Sequence, residues 1–399
     1  MTQDRSLQTE VSCAVLDEQD IINPEVRMPE VREVTTEKDK REYLELPNRL
    51  YKDCSYYVPP FYADEKKIFA NKRAKDGSAE SVFFIAYEDG RAVGRIQGIC
   101  HHLSNEKRSE KRVRFTRFDC INSKEVAALL FKSLEAWAAS LGMDTVCGPL
   151  GYSDLEREGL LIEGFDQLST YEEQYNYEYY SELLEANGYV KEKDWLEYRL
   201  SIPEKKDEEL ERITDFLLRR YGLKYLNERN LKKMCELYYD QFHEVLEKGY
   251  SSLYGTVPFT AEMKKELLKT LVAVLDKRFV KVVLDKDGEL VYFAIALPSL
   301  SKALLHSGGH MSIPVLFRLL KAKRHPEIID LGLVSVSEKY KGKGIGSLLV
   351  RDLTELMRSE NVPYAETNLC LEDNYAILNL WQQFDSVQHK RRRAYAKKI

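Results

Sequence analysis

The chain has 399 residues, 44% of them hydrophobic and 31% charged, with a net charge of -5. That length exceeds one ordinary core, so two domains are expected, and the charge balance gives no general pull towards nucleic acid or an anionic membrane. The longest apolar runs, such as 279–284, are strand-length and far short of the roughly 20 residues that a membrane helix needs. Seven widely spaced cysteines with no C-x-x-C pair argue against a disulfide framework or a zinc site, and for a reduced cytoplasmic protein with no bound metal.

Residues 1–26 are polar and acidic without an apolar core, which reads as a disordered lead-in rather than a signal peptide. Residues 81–100 form the first clear element: an apolar strand at 82–87, an Asp89-Gly90 turn and a return strand at 92–99, the pattern of a hairpin. A strand is expected at 113–118. Val126, Leu129, Leu130, Leu134, Trp137, Ala138 and Leu141 then fall at helical spacing, Gly142 ends the helix, and 145–147 reads as a short strand. Tyrosines crowd 171–180. Pro203 and the charged run Glu204-Lys205-Lys206-Asp207 mark a boundary. Beyond it the order returns: a hairpin at 279–284 and 290–297 around Asp287-Gly288, a strand at 328–336, a helix lined by Ile345, Leu348, Leu349, Leu353, Leu356 and Met357, and a strand at 364–371.

This is a repeat with a register. A shift of 219 places carries Leu129-Leu130 onto Leu348-Leu349, Leu134 onto Leu353 and Leu150 onto Leu369, whereas the two Asp-Gly turns differ by 198. The second half therefore carries 21 extra residues between hairpin and helix, mostly within 301–326. A duplication is the expectation, with one domain at 27–204 and a second at 205–399.

Chemistry concentrates after the strand at 329–336, where Lys341, Gly342, Lys343, Gly344, Ile345 and Gly346 open directly into an amphipathic helix. A helix start has amides without intrahelical partners and the positive end of the dipole, so a glycine-rich loop at that point suits a pyrophosphate. Neither the dinucleotide fingerprint nor the P-loop fits, because no third glycine stands at 349 and Gly346 is followed by Ser347 without a Lys-Ser/Thr pair.

On these residues the sequence resembles the GNAT acyltransferases, whose motif is Gln/Arg-x-x-Gly-x-Gly/Ala after a strand ending in apolar-x-Val. Lys341, Gly344 and Gly346 take the motif places, Val334-Ser335-Val336 matches the strand that pairs with the pantetheine arm, and Asn374 matches an asparagine that helps to position coenzyme A. The resemblance spans the second half and, as element order, extends over 27–200. It implies an α/β protein of two tandem GNAT-like acyl-CoA N-acyltransferase domains, each a central mixed sheet flanked by helices. It also implies acetyl-CoA or another acyl-CoA as co-substrate and an amine acceptor, with no nucleic-acid or membrane partner. The alternative is a non-catalytic acyl-CoA sensor or partner-binding module.

Two departures stand out. Trp381 occupies the place of the family's tyrosine acid, and an indole has no useful acidity. Lys341 replaces Gln/Arg, which keeps the positive charge. Glu366, mid-strand in an apolar run, is the expected general base. In the first half Asn122, Glu125 and Ala127 stand at the motif places, and Glu125 would compete with an anionic ligand for the helix amides, so that half is expected not to hold the coenzyme. Its aromatic segment, with Tyr177 and Tyr180, is the expected acceptor contact. The basic run Lys390-Arg391-Arg392-Arg393 is expected on a solvated edge strand.

Overall fold

A computed structural model describes residues 28–70, 77–203, 208–228 and 230–399; the expected lead-in and the charged boundary run lie outside them. The first half contributes strands β1 (Glu30–Glu33), β2 (Ala79–Glu88), β3 (Arg91–His101), β4 (Arg112–Cys120), β5 (Thr145–Gly148), β6 (Leu160–Glu163) and β7 (Val190–Ser201). The second half contributes β8 (Lys224–Tyr225), β9 (Val280–Leu284), β10 (Leu290–Pro298), β11 (Ile329–Val336), β12 (Tyr364–Glu366), β13 (Cys370–Leu371) and β14 (Asp385–Lys398). The duplication is visible in the pairing. Antiparallel β2, β3 and β4 continue into the parallel pair β4–β5, and antiparallel β9, β10 and β11 continue into the parallel pair β11–β12.

Each parallel pair is bridged by one amphipathic helix. Lys124–Ser140 is capped by the Ser123 hydroxyl, which accepts from the Val126 amide, and buries Val126, Leu130, Phe131 and Leu134. Its counterpart Ser347–Glu360 buries Leu348, Leu349, Leu353 and Met357 and stops at Asn361, which adopts left-handed geometry with φ 54°. The helical spacing read from the sequence therefore holds in both halves.

The halves do not form two separate sheets. The strand order β1-β2-β3-β4-β5-β14-β7-β12-β11-β10-β9-β8 runs without a break. The last strand of each half sits in the other: β14 pairs with β5 of the first half, and β7 pairs with β12 of the second. β14 and β7 also pair with one another along most of their lengths.

This corrects the expected position of the basic run. β14 lies mid-sheet, and Lys390 and Arg392 are among the most deeply buried side chains of the protein. The physical reason lies in the strand opposite. Lys390 Nζ donates to Glu197 Oε2 at 3.0 Å and Arg392 Nε to Glu197 Oε1 at 2.6 Å, while Arg393 on the other face reaches Asp194 at 2.8 Å. β7 supplies a carboxylate for each face, so cations that read as an exposed edge are neutralised inside.

Removing one partner of this cluster leaves a buried charge uncompensated. Lys390→Met is expected to cost about 3–5 kcal/mol in denaturant unfolding, whereas Lys398→Met, which breaks the exposed pair with Asp144, leaves the midpoint unchanged. The Glu197 carboxyl is held down at about 2, against the opposing effect of burial, by Arg392 and Lys390. Its stabilisation is therefore complete above the ordinary carboxylate range and is lost as pH falls towards 2; the wild-type acid transition should shift upward in Lys390→Met.

Candidate active site

The second half holds its glycine-rich loop in a conformation suited to an anion. Gly342 and Gly344 have φ of 71° and 81°, which side-chain-bearing residues rarely adopt. Gly346 heads the helix without a side-chain cap. The amides of Ser347, Leu348 and Leu349 turn back onto the carbonyls of Gly344, Ile345 and Gly346, each at 3.0 Å. Among the described residues no carbonyl accepts from the amides of Gly344, Ile345 and Gly346 themselves, which leaves three neighbouring donors at the positive end of the dipole. The buried Asp285 carboxylate anchors the preceding turn by accepting from Lys339 Nζ at 3.0 Å and the Tyr340 hydroxyl at 3.2 Å. Lys341 pairs with Glu338, and the Lys343 ammonium lies over the ring of Tyr340 at 5.1 Å.

Beside this loop the sheet forks. β11 and β12 pair only at Ile329–Ala365 and Asp330–Glu366 and then diverge. Asn368 Nδ2 donates to the Gly332 carbonyl at 2.7 Å at the fork. The opened edge of β11, including Val334, Ser335 and Val336, lines a cleft of about 450 Å³ that reaches Gly342, Gly344, Ile345, Gly346 and Asn374. Nine of the ten sequence-predicted coenzyme residues thus border one cavity, although the Ser335 hydroxyl donates to the Val245 carbonyl; Lys343 is not part of that wall. Trp381 forms part of the wall and donates its indole N–H to Cys370 Sγ at 3.4 Å.

One residue in this cleft had no sequence signature. The Tyr250 hydroxyl donates to the Val334 carbonyl at 3.1 Å and lies 3.3 Å from the Val334 amide. Burial raises this phenol above its ordinary pKa, and the Val334 backbone opposes the rise. Tyr250 also borders a second cavity of about 240 Å³, which shares Leu333, Asn368 and Asn374 with the cleft. The far wall of this chamber belongs to the first half and carries Asp154, Glu156, Glu158, Glu172 and Glu173.

Glu158 is 3% exposed, and among the described residues nothing donates to its Oε1. Burial, and then the Asp154 charge, push its carboxyl well above the ordinary range. Burial raises Glu173 to about 8 against the pull of Arg392. Through Glu156 and Glu172 the chamber meets an outer groove of about 730 Å³ bordered by Tyr171 and Tyr175.

The remaining predicted residues lie elsewhere. Glu366 is buried, ion-paired to Lys390 at 3.5 Å and Arg199 at 3.4 Å, and is not part of the cleft wall. Tyr180 is wholly buried in the first-half core, where its hydroxyl meets that of Tyr51 at 2.7 Å and accepts from the Cys120 amide at 3.1 Å. The Tyr177 hydroxyl donates to the Leu50 carbonyl at 3.2 Å. Neither tyrosine lines the chamber or the groove; Tyr171 and Tyr175 of the same segment do line the groove. In the first half the counterpart of the fork is closed, since the Leu150 amide donates to the Phe115 carbonyl at 2.7 Å, and the helix start is occupied by the Ser123 cap. Glu80, Cys100 and His102 bring ligand-type atoms within 4.8 Å of one another, with His102 exposed.

Residues 239–385 match the Acetyltransferase (GNAT) family. A tandem GNAT protein from the clavulanic acid biosynthesis pathway has a similar fold, with a TM-score of 0.54 at 11% identity over 93% of this chain and 98% of that one. The chain thus carries a GNAT domain within a tandem GNAT fold. It is 23% identical to Protein YghO of Escherichia coli (strain K12), over 92% of this chain and 95% of that protein. It is 25% identical to the bacterial ceramide synthase of Caulobacter vibrioides, over 92% of this chain and 96% of that protein.

The loop assignment has a direct test. Gly344→Glu sets a carboxylate among the three open amides and strains a left-handed position, so coenzyme A binding by titration calorimetry should weaken by at least ~2 kcal/mol. Wild-type affinity in the folded variant would remove the loop from the site.

Proposed function

We propose that this protein moves the acyl group of an acyl-coenzyme A onto the amine of an amphiphilic acceptor. The supporting observation is the junction at Tyr250 of two unlike cavities: a cleft that ends at open helix amides, and a chamber walled by carboxylates from the other half. A thioester laid along β11 would have its phosphates at the Gly344–Gly346 amides and its carbonyl near the β11 backbone, whose amides polarise it. An ammonium group entering from the outer groove is matched by the acidic wall. Glu158 takes its proton, and its raised pKa makes it a better base for that task than an ordinary carboxylate. The neutral nitrogen attacks the carbonyl, the C–N bond forms, and the C–S bond breaks. Tyr250 gives its proton to the departing thiolate, a task that Trp381 cannot perform, and regains one as the attacking nitrogen sheds its second proton to become the amide; the proton on Glu158 leaves to solvent. Acetyl-CoA is the smallest donor for this scheme. The relative named as a ceramide synthase supports amide formation on a lipid amine, which brings long-chain acyl-CoA and long-chain amino alcohols into the assay.

Release of free coenzyme A thiol, measured for acetyl-CoA and palmitoyl-CoA against simple and long-chain amines, tests the reading. Glu158→Gln should lower kcat/KM by about 10²–10⁴-fold with coenzyme affinity retained. In the wild type kcat/KM should rise with pH through a pKa above the usual carboxylate range, and that limb should vanish in the variant. A carboxyl raised in the folded state contributes stability only at low pH and loses it as pH rises, so Glu158→Gln should be no less stable than the wild type at neutral pH. Coenzyme binding without turnover on any amine would favour the sensor reading.

The acid has a separate test. Tyr250→Phe should lower kcat by about 10²-fold or more while KM for the acceptor changes little. Unchanged kcat would exclude the phenol from proton transfer.

A further inference from the structure

The residues by which the second half exceeds the first have no part in the site just described. Residues 301–325 contain no Asp or Glu but carry Lys302, Arg318, Lys321, Lys323 and Arg324. The segment is fastened to the first half, where Asn48 Nδ2 donates to the Gly308 carbonyl at 3.1 Å and the Tyr62 amide to the Gly309 carbonyl at 2.9 Å. It then forms the helix Ile313–Arg324, whose Val315 and Leu319 pack inward with Val58, Leu304 and Tyr171. The opposite face is also apolar. Ile313, Leu316, Phe317 and Leu320 are 74%, 46%, 68% and 50% exposed, with Met311 beside them at 57%. Their spacing of i, i+3, i+4 and i+7 sets them in one stripe. Helical geometry puts Lys321 on one flank of it and Lys323 on the other, with Arg324 at its end.

We propose that this helix lies in the plane of an anionic lipid bilayer and docks the protein there. An apolar stripe with a cation on each flank and another at its end matches acyl chains beneath anionic headgroups, and lysine stems can cover the apolar flank while their ammonium groups reach the phosphates. A contiguous exposed apolar face of this kind is uncommon on a protein without a partner for it. The net charge of -5, which gives no general attraction to such a surface, hides this local surplus of five cations over 25 acid-free residues. The inner face of the helix shares its apolar cluster with Tyr171, which borders the outer groove, so the docked bilayer would lie beside the entrance to the acidic chamber. Docking of this kind uses the surface alone and does not require acyl transfer.

Flotation of the full chain with phosphatidylcholine vesicles, with and without phosphatidylglycerol, tests it. Binding to the anionic vesicles, weakened by salt, is expected. Phe317→Ser with Leu320→Ser, and separately Lys321→Glu with Lys323→Glu and Arg324→Glu, should each lower the bound fraction by about tenfold or more. Phe216→Ser, at an exposed aromatic elsewhere, should not change it. The substituted residues are exposed apart from the half-buried Lys323, and an unchanged melting temperature and coenzyme titration would show that each variant is folded. No binding to anionic vesicles, or equal binding by all variants, would overturn the proposal. So would a dimer in sedimentation that Phe317→Ser dissociates, since the stripe would then belong to a second copy. The readout is independent of turnover: an inactive chain that still floats keeps this inference, and an active chain that does not float loses it alone.

Discussion

The ion cluster formed by Lys390, Arg392 and Glu197 holds the two halves in one sheet, and the site depends on that union. β14 crosses into the first half and β7 into the second, so neither half completes its sheet alone. By itself such a cluster adds little net stability over an apolar core of equal volume, because two or three ions must first leave water. Its contribution is selective. If β14 slipped by one residue against β7, Lys390 and Arg392 would exchange faces with Arg391 and Arg393 and lose Glu197 as a shared partner. The cluster also reaches the chamber: Arg392 donates to the Gln174 carbonyl and lies 3.8 Å from Glu173. At Gly159, with φ of 70°, a Cβ would stand 2.7 Å from that of Arg392, so the Glu158 loop can pass this close only with glycine there.

The duplicated halves have diverged by small local changes with opposite electrostatic results. In one, the helix start has open amides and the neighbouring strands fork. In the other, a serine caps the helix and a backbone hydrogen bond closes the fork. The first half instead presents carboxylates across the junction. A positive helix end on one side and an acidic wall on the other are the features on which the proposed meeting of an anionic donor and a cationic acceptor rests. Burial of so many carboxyls opposes their ionisation, and that cost is the physical origin of their raised pKa values.

What the sequence determined by itself is what depends on near neighbours. The hairpins follow from Asp-Gly turns between apolar runs, the two long helices from periodic leucines, and the open loop at 341–346 from alternating glycines at a helix start. Each of these signals acts within a few residues of its effect, and the repeat confirmed them by stating them twice. Tertiary structure alone decided the rest. The basic run of β14 resembles a solvated edge until Glu197, 193 residues from Lys390 along the chain, comes opposite it. Tyr180 reads as an amphipathic contact residue until Tyr51 takes its hydroxyl into the core. Glu158 lies in a polar loop like many others, and Tyr250 ends an ordinary helix. What distinguishes them is their place at the seam of two halves, where Glu158 is buried and Tyr250 half-buried. Burial and charge pairing depend on what arrives from distant parts of the chain, and no local pattern encodes that.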